Sequence, residues 1–315
     1  MQLELTVKDP IVRGALALFP AFSDAPGAPH YLSGPEAEAA GFLHVSEQES
    51  GAVVPELMVQ NTGDEAVLLL EGETLVGAKQ NRTLNVSLLV PGRARLAVPV
   101  SCVEAGRWGA ARAMARSPRH APGDLRRLNT RAVAESRRLG LGARTDQSAV
   151  WARVAAYQDD LAAPSATSAL EDVYSRVDAE LVDLVGKLTP LPDQRGVIVA
   201  IAGTVRGIDW FDKPSTLAAY WPGLVQGYAV DALHTSSGAA TTGDAEKFVA
   251  QVLAADATSA DAVGLGADLV IVDDAVAGHA LEWEHAIVHL AAFATSTLPA
   301  RPRAGGRIDR SRWSR

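Results

Sequence analysis

The feature that most constrains the fold is a change of hydrophobic period along the chain. In the N-terminal third, strand-length apolar runs are separated by Gly, Pro, Asn and Asp. These runs are LELTV, GALALF, FLHV, PELMVQN, AVLLLEG, TLNVSLLV and RLAVPVSCVE. One helix is predicted at Ser33, where S-G-P-E forms a capping box with proline in the first turn. Short strands in succession favour an antiparallel sheet.

The middle third has a helical period instead. From Leu125 to Leu139, apolar residues fall on one side of a helix, and five arginines fall on the other. A second helix is predicted from near Thr145. A third begins at a capping box from Ser168 to Glu171 and ends before two prolines.

The last part returns to strands, in RGVIVAIAGTVRGIDWF, ADLVIVDD and ALEWEHAIVHLAAF, with two helices between them at Pro214 to His234 and Asp244 to Ala254. The order predicts an α+β fold in which helices pack on one side of mostly antiparallel sheet. We predict one domain over residues 1–295, strand-rich to 108, helical over 109–190 and mixed thereafter. Residues 296–315, rich in Arg and Gly, are predicted to be a disordered tail.

Composition excludes several classes of protein. With 48% hydrophobic and 21% charged residues the chain is globular. Its one cysteine, Cys102, excludes an intrachain disulfide and cysteine-based zinc or iron–sulfur sites. The start, MQLELTVKDP, lacks the basic and apolar parts of a secretory signal, and no apolar run is long enough for a membrane helix, so a cytoplasmic location is expected.

The positive charge is concentrated in one region. The net charge of -8 argues against a general nucleic-acid binder. Residues 107–144 nevertheless contain ten arginines, opposed only by Asp124 and Glu135. This pattern indicates either a solvated helix face or a surface, on the helix over 124–139, for an acidic protein partner or nucleic acid.

Two sequence motifs were considered as sites. Gly72 and Gly77 have the spacing of a phosphate loop, but Ala78 precedes the lysine and Gln80 replaces the metal-binding hydroxyl, so a P-loop is rejected. His285 and His289 are four residues apart, which would place two metal ligands on one helical face. The surrounding residues fit a strand equally well, in which case both histidines belong to a core or an edge.

A polar block interrupts the apolar runs VLLL and VSLLV. It consists of Lys79, Gln80, Asn81 and Arg82, with Glu71 and Glu73 before it and Asn85 after it. The next predicted strand ends with a second group, Cys102, Glu104, Arg107 and Trp108. If adjacent antiparallel strands bring the groups together, they suit an oxyanion-rich ligand, with Glu73 or Glu104 as general acid or base. Alternatively, the block is a solvated hairpin loop, Glu104 pairs with Arg107 to fix a turn, and Cys102 is a core residue.

The segments EGETLVGAKQNRTLNVSLLVP and VPVSCVEAGRW resemble the core signature of the ARG and Rhodanese-Phosphatase-superfamily-associated protein domain family. Similar blocks extend roughly to Phe293. The resemblance implies, through genomic association, a place in NAD-derived or ADP-ribose metabolism. Two further family-like blocks contain Gln147 with Trp151, and Asp209; they complete the pocket or serve ordinary packing.

Three functions therefore remain open. The first is binding of a small anionic nucleotide-like metabolite, with or without catalysis. The second is an interaction module that uses the arginine-rich helix, and the third is metal-dependent hydrolysis through the two histidines. The residues do not specify a cofactor.

Overall fold

The computed structural model describes residues 3–47, 55–107 and 112–297. Within these residues the chain forms six helices and eighteen strands. The helices are α1 (Gly34–Ala39), α2 (Gly123–Arg138), α3 (Gln147–Asp160), α4 (Leu170–Val185), α5 (Pro214–Ala232) and α6 (Thr242–Ala254). Trp108 and residues 298–315, which contain most of the predicted tail, lie outside the described residues.

The strands are short and closely spaced in the first half of the chain. They are β1 (Thr6–Val7), β2 (Ile11–Arg13), β3 (Leu16–Phe22), β4 (Leu32–Ser33), β5 (Leu43–Ser46), β6 (Glu56–Asn61), β7 (Val67–Leu69), β8 (Glu73–Ala78), β9 (Arg82–Leu84), β10 (Leu88–Val90), β11 (Arg95–Cys102) and β12 (Arg112–His120). The second half adds β13 (Gly196–Ile201), β14 (Thr204–Phe211), β15 (Ala257–Asp261), β16 (Ala267–Val272), β17 (Val276–Trp283) and β18 (Ala286–Ala294).

These strands form three sheets. The largest has nine strands in the order β1-β3-β13-β14-β18-β17-β16-β15, with β2 paired to β3. A six-stranded sheet has the order β12-β8-β9-β11-β6-β5, and a three-stranded sheet has the order β10-β7-β4. The named strand pairs are antiparallel apart from β4 with β7, so the predicted α+β class is confirmed.

Helices cover both faces of the nine-stranded sheet. Val197 and Val199 of β13 belong to one core with residues of α3, α4 and α5, whereas Ile198 points to a second core that contains Phe248 of α6. Successive residues of a strand face opposite sides of a sheet, and β13 is apolar at each position, so each face requires a cover. The expectation that the helices lie on one side was therefore wrong.

The capping box predicted from the sequence is present at α1 and absent at α4. Ser33 and Glu36 form the predicted capping box at α1. Ser168, by contrast, has a φ of 53°, and α4 begins after Ala169 without a side-chain cap. The interval predicted to be helical also begins with a strand, β12, which pairs with β8 and contains register shifts around its proline.

In the part of the chain that the structure describes, no helix combines the length and the apolar character needed to cross a lipid bilayer.

Candidate functional site

Lys79, Gln80 and Asn81 of the polar block form the turn between β8 and β9, and Arg82 is the first residue of β9. The predicted strand TLNVSLLV is divided into β9 and β10, and the preceding ETLVGA forms β8. Gln80, Asn81 and Arg82 are buried, with exposed fractions of 0%, 9% and 3%, while Lys79 is partly exposed. Ala78, just before the block, has a φ of 45°. The block is therefore directed into the protein rather than into solvent.

Asn81, Glu104 and Arg107 are joined by hydrogen bonds. The Asn81 backbone N–H donates to Glu104 Oε2 at 3.0 Å, and Arg107 Nη2 donates to Asn81 Oδ1 at 3.1 Å. Arg107 also binds Glu104 through Nε at 2.9 Å and Nη2 at 2.8 Å. Two further donations reach the carbonyls of Gly77 and Ala78 at the end of β8. The end of β11 is thus fixed to the β8–β9 turn.

Glu104 is held in its ionised form. Burial acts to raise its pKa, but hydrogen bonds from Arg107, the Asn81 amide and Thr167 outweigh burial and lower that pKa. The Thr167 hydroxyl donates to Glu104 Oε1 at 2.8 Å. Glu104 is therefore a hydrogen-bond acceptor at neutral pH.

Arg82 and Cys102 lie next to the Asn81–Glu104–Arg107 group, where they are paired between β9 and β11. Arg82 Nη1 donates to Gln80 Oε1 at 3.2 Å, and its buried Nε has no partner within the described residues. Burial raises the pKa of the Cys102 thiol, which keeps it protonated. The Gln147 amide pairs with the backbone N–H and carbonyl of Cys102 at 2.7 and 2.8 Å. Gln147 thereby attaches α3 to β11.

An open cleft, called the polar cleft below, lies in front of the Asn81–Glu104–Arg107 group. It has a volume of about 530 Å³. Its polar lining consists of Asn81, Glu104, Arg107, Thr167, Glu171 and Asp172. The last three come from the start of α4 and the loop before it, so the helix and the β8–β9 hairpin both line the cleft.

Carboxylates outnumber cations in this lining. Glu171 is 3.3 Å from Arg119, and burial, the largest influence, raises the pKa of its carboxyl group despite that neighbour. Asp172 accepts a hydrogen bond from Ser165 at 2.5 Å. The lining therefore contains three acidic side chains and one guanidinium group, that of Arg107, while Arg119 pairs with Glu171 from outside the lining. This balance favours ligands that donate hydrogen bonds.

Glu71 and Asp209 lie elsewhere, in a buried network centred on Arg126. Arg126 Nε donates to Glu71 Oε1 at 2.8 Å, and its Nη1 and Nη2 donate to Asp209 at 3.0 and 2.6 Å. Tyr228 also donates to Asp209, at 2.8 Å. Burial acts to raise the pKa of Asp209, but Arg126 and His289 overcome it and hold that pKa far below its usual range.

His289 joins this network to Ser87. The Ser87 hydroxyl lies 2.8 Å from His289 Nδ1, and His289 Nε2 lies 3.5 Å from Asp209 Oδ1. His279 is next to Ser87, and burial lowers its pKa to about 3, so it is neutral. Ser87 and His289 are both 0% exposed. Ser87, His289 and Asp209 therefore lie next to one another in space in that order. Because the Ser87 hydroxyl is fully buried, a substrate cannot touch it.

The remaining candidate site residues lie at separate positions outside the polar cleft. Glu73 is buried, accepts from the Leu70 N–H at 2.6 Å and lies 3.3 Å from Arg116, away from the polar cleft; burial raises the pKa of its carboxyl group. Asn85 binds Ser101 at 2.7 Å. The buried Trp151 indole N–H has no partner within the described ranges.

The two histidines predicted as candidate metal ligands lie in different parts of the structure. His285 lies in the turn between β17 and β18 with a φ of 66°, whereas His289 belongs to the buried network. Across residues 3–47, 55–107 and 112–297, no group of three or more His, Cys, Asp or Glu side chains is arranged to hold a metal ion.

One family model matches the chain over residues 4–293, and it describes the ARG and Rhodanese-Phosphatase-superfamily-associated Protein domain (ARPP-1). The chain belongs to the ARPP-1 family. No curated protein and no solved structure matches it. In this ARPP-1 domain, the segments that carry the resemblance contribute to two places. They supply Asn81 and Glu104 to the polar cleft, and Glu71, Asp209 and His289 to the buried network.

Sequence reasoning missed Arg126, although a signal was present. Arg126, Thr130, Val133 and Arg137 recur at helical spacing, and in the ARPP-1 structure this stripe of α2 faces the large sheet. The helix had been predicted to expose its arginines. The opposite is found for Arg126, while Leu139, predicted to be on the apolar side, is 56% exposed. Thr167, Glu171 and Asp172 had no comparable signal.

Proposed function

We propose that this ARPP-1 protein binds a small, hydroxyl-rich metabolite with an anionic group, of the ADP-ribose type, in the polar cleft. One observation carries the proposal: Asn81 of the hairpin turn and the Glu104–Arg107 pair line the same open cleft. Its volume of about 530 Å³ lies within the usual range of small-molecule sites.

The acidic lining supports recognition of a sugar. Vicinal hydroxyl groups donate hydrogen bonds, and ionised carboxylates accept them strongly; an acidic side chain binds ribose hydroxyls in dinucleotide sites for this reason. Glu171 and Asp172 supply such acceptors from the first turn of α4, next to Glu104, whose two oxygens already accept four hydrogen bonds. A ligand made only of phosphate would meet three carboxylates, so a ribose is the part that we assign to this region.

Arg107 supports a single anionic group near the sugar. Its Nη1 has two N–H groups, and the Ala78 carbonyl accepts one of them, at 2.8 Å. The side chain is 15% exposed and lines the cleft. An anionic oxygen of the ligand would accept the remaining N–H in a charge-assisted hydrogen bond.

We assign binding rather than proton transfer to these residues. Glu104 is stabilised as the anion by three different donors, so it is suited to accept hydrogen bonds and poorly suited to hold a proton at neutral pH. Glu73 has a raised pKa, but it is buried outside the cleft. The place in ADP-ribose metabolism that the family resemblance implies suggests the ligand class.

Isothermal titration of the full chain with ADP-ribose, and with ADP as the analogue that lacks the second ribose, tests the proposal. ADP-ribose is expected to bind and ADP to bind at least about tenfold more weakly, since hydrogen bonds to charged groups contribute about 1.5–3 kcal/mol. Glu171→Gln and Thr167→Val are each expected to weaken ADP-ribose binding about tenfold.

The matched control is Glu180→Gln. Glu180 is on the same helix as Glu171 and pairs with His234 outside the cleft. This variant is expected to bind like the unmodified chain. Absence of ADP-ribose binding, or equal affinities for all three variants and the unmodified chain, would refute the assignment.

A further inference from the structure

A second depression, called the α2 groove below, lies between helix α2 and the edge of the nine-stranded sheet. Its volume is about 810 Å³. Arg131 and Arg137 line it from the helix, Thr258 and Ser259 from β15, and Val270 and Val272 from β16. The groove therefore combines guanidinium groups and hydroxyls with an apolar floor, and it shares no lining residue with the polar cleft.

Arg137 is fixed in position and retains a free donor. Its Nη2 donates to Asp268 Oδ2 at 2.5 Å, and Asp268 is 0% exposed. The Arg137 side chain is only 10% exposed, and its buried Nη1 has no hydrogen-bond partner in the described part of the chain. A buried donor without a partner is costly, so a ligand atom that accepts from Nη1 would bind favourably.

Arg131 supplies a second, accessible cation. It is exposed on α2, and within the described ranges it forms no ion pair or hydrogen bond. The acidic residues that line the groove are Glu135 and Asp256. Glu135 is bound by Arg138 at 2.9 and 2.6 Å, so its charge is already compensated.

We propose that the α2 groove binds the phosphate group of a small phosphorylated molecule. Arg131 would pair with one phosphate oxygen, and the Arg137 guanidinium, oriented by Asp268 and buried beneath the groove, would donate Nη1 to a second once its side chain turns toward the ligand. The hydroxyl of Thr258, which lies beside Val270 on the groove side of the sheet, provides a further donor. The apolar floor of Val270 and Val272 fits a nonpolar portion of the same ligand.

Inorganic pyrophosphate, titrated calorimetrically into the full chain, is the probe. One equivalent is expected to bind, with an affinity that falls as salt is raised. Arg137→Lys keeps a cation beside Asp268 but removes the planar fork, and it is expected to weaken binding about tenfold. Arg131→Gln, on the exposed face, is expected to weaken it about threefold. Arg176→Gln, at an exposed position of α4, is the control and leaves the affinity unchanged.

The two sites are distinguished by crossing the variants. Glu171→Gln is expected to leave pyrophosphate binding intact, and Arg131→Gln to leave intact the ADP-ribose binding that depends on Glu171. The folded state of each variant is verified by its unfolding midpoint; Arg131→Gln alters only an exposed, unpaired side chain, so it keeps the test decisive. No pyrophosphate binding by the unmodified chain, or unchanged affinity in both Arg131→Gln and Arg137→Lys, would overturn the proposal.

Discussion

Replacement of Arg126 by methionine is expected to destabilise the fold severely. The Arg126 guanidinium is 1% exposed and touches two carboxylates, Glu71 and Asp209, that are 2% and 0% exposed. Methionine fills much of the volume but supplies no charge, so two carboxylates would remain buried together. Removal of one partner from a buried ion pair costs about 3–5 kcal/mol. We expect a loss of this size in the free energy of unfolding near pH 7.

The sign of the pH dependence follows from Asp209. In the unmodified chain its pKa is lowered, so its contribution to stability is present above the unfolded pKa of about 3.9 and is lost as pH falls below that value. Without Arg126, burial and the neighbouring Glu71 raise the carboxyl pKa above the unfolded value. The variant then takes up a proton on folding, so its deficit relative to the unmodified chain grows as pH rises.

Urea unfolding, followed by circular dichroism at about pH 5 and about pH 7.5, measures both effects. The matched control is Arg131→Met on the same helix, which is expected to change the free energy of unfolding by less than about 0.5 kcal/mol. If the two variants lost the same stability, or if the Arg126→Met deficit were larger at the lower pH, the buried network would not be the charge-compensated centre described here.

Three further changes test other parts of the structure by urea unfolding. Burial raises the pKa of Asp231 to about 6, so its stabilising effect is present below about pH 3.9 and is lost as pH rises through about 6. The free energy of unfolding of the unmodified chain, relative to that of Asp231→Asn, should therefore fall by up to about 3 kcal/mol over that range. A difference that does not change with pH would contradict this. Gly72→Ala should cost roughly 2 kcal/mol more than Gly140→Ala, because both glycines have positive φ but only at Gly72 would the new Cβ meet side-chain atoms, at 2.9 Å; equal losses would refute the crowding. Gln147→Ala should cost about 1–3 kcal/mol, since it removes both bonds to the Cys102 backbone, and a loss below about 0.5 kcal/mol would mean that solvent replaces them.

The class of fold could be predicted because it depends on the period of the hydrophobic residues and on the turn residues between the elements. Strand-length apolar runs between turn residues identified β3, β6, β11 and β13, and strong amphipathic periodicity identified α4. β12 could not be identified in this way. Its sequence RAMARSPRH is not an apolar run, and Arg116 and Arg119 are accommodated in it by ion pairs with acidic residues distant in the sequence.

The candidate site was predictable only in part, for an electrostatic reason. Asn81, Glu104 and Arg107 were grouped from their positions at the ends of neighbouring strands, and the structure brings them together. Glu71 was placed with them because a carboxylate is usually exposed or at a site. Its partner Arg126 is 55 residues away along the chain, so the pairing that buries both depends on tertiary structure.

The α4 side of the polar cleft was not predictable from spacing. Thr167 lies in the loop before α4, and Glu171 and Asp172 lie in its first turn, where acidic residues are ordinary because they favour helix N-termini. Their relevance arises only because the N–H of Gly106 donates to the Thr167 carbonyl at 2.7 Å, which places this loop beside Glu104. A contact between a loop and a distant strand end leaves no periodic trace in the sequence.

A crystal structure of the full chain with ADP-ribose decides whether the polar cleft holds the sugar of an ADP-ribose-type ligand. We predict ribose hydroxyls within hydrogen-bond distance of the Glu171 or Asp172 carboxylate and an anionic oxygen beside Arg107. Density for ADP-ribose only at another place, such as the α2 groove, with the polar cleft holding solvent alone, would contradict the claim.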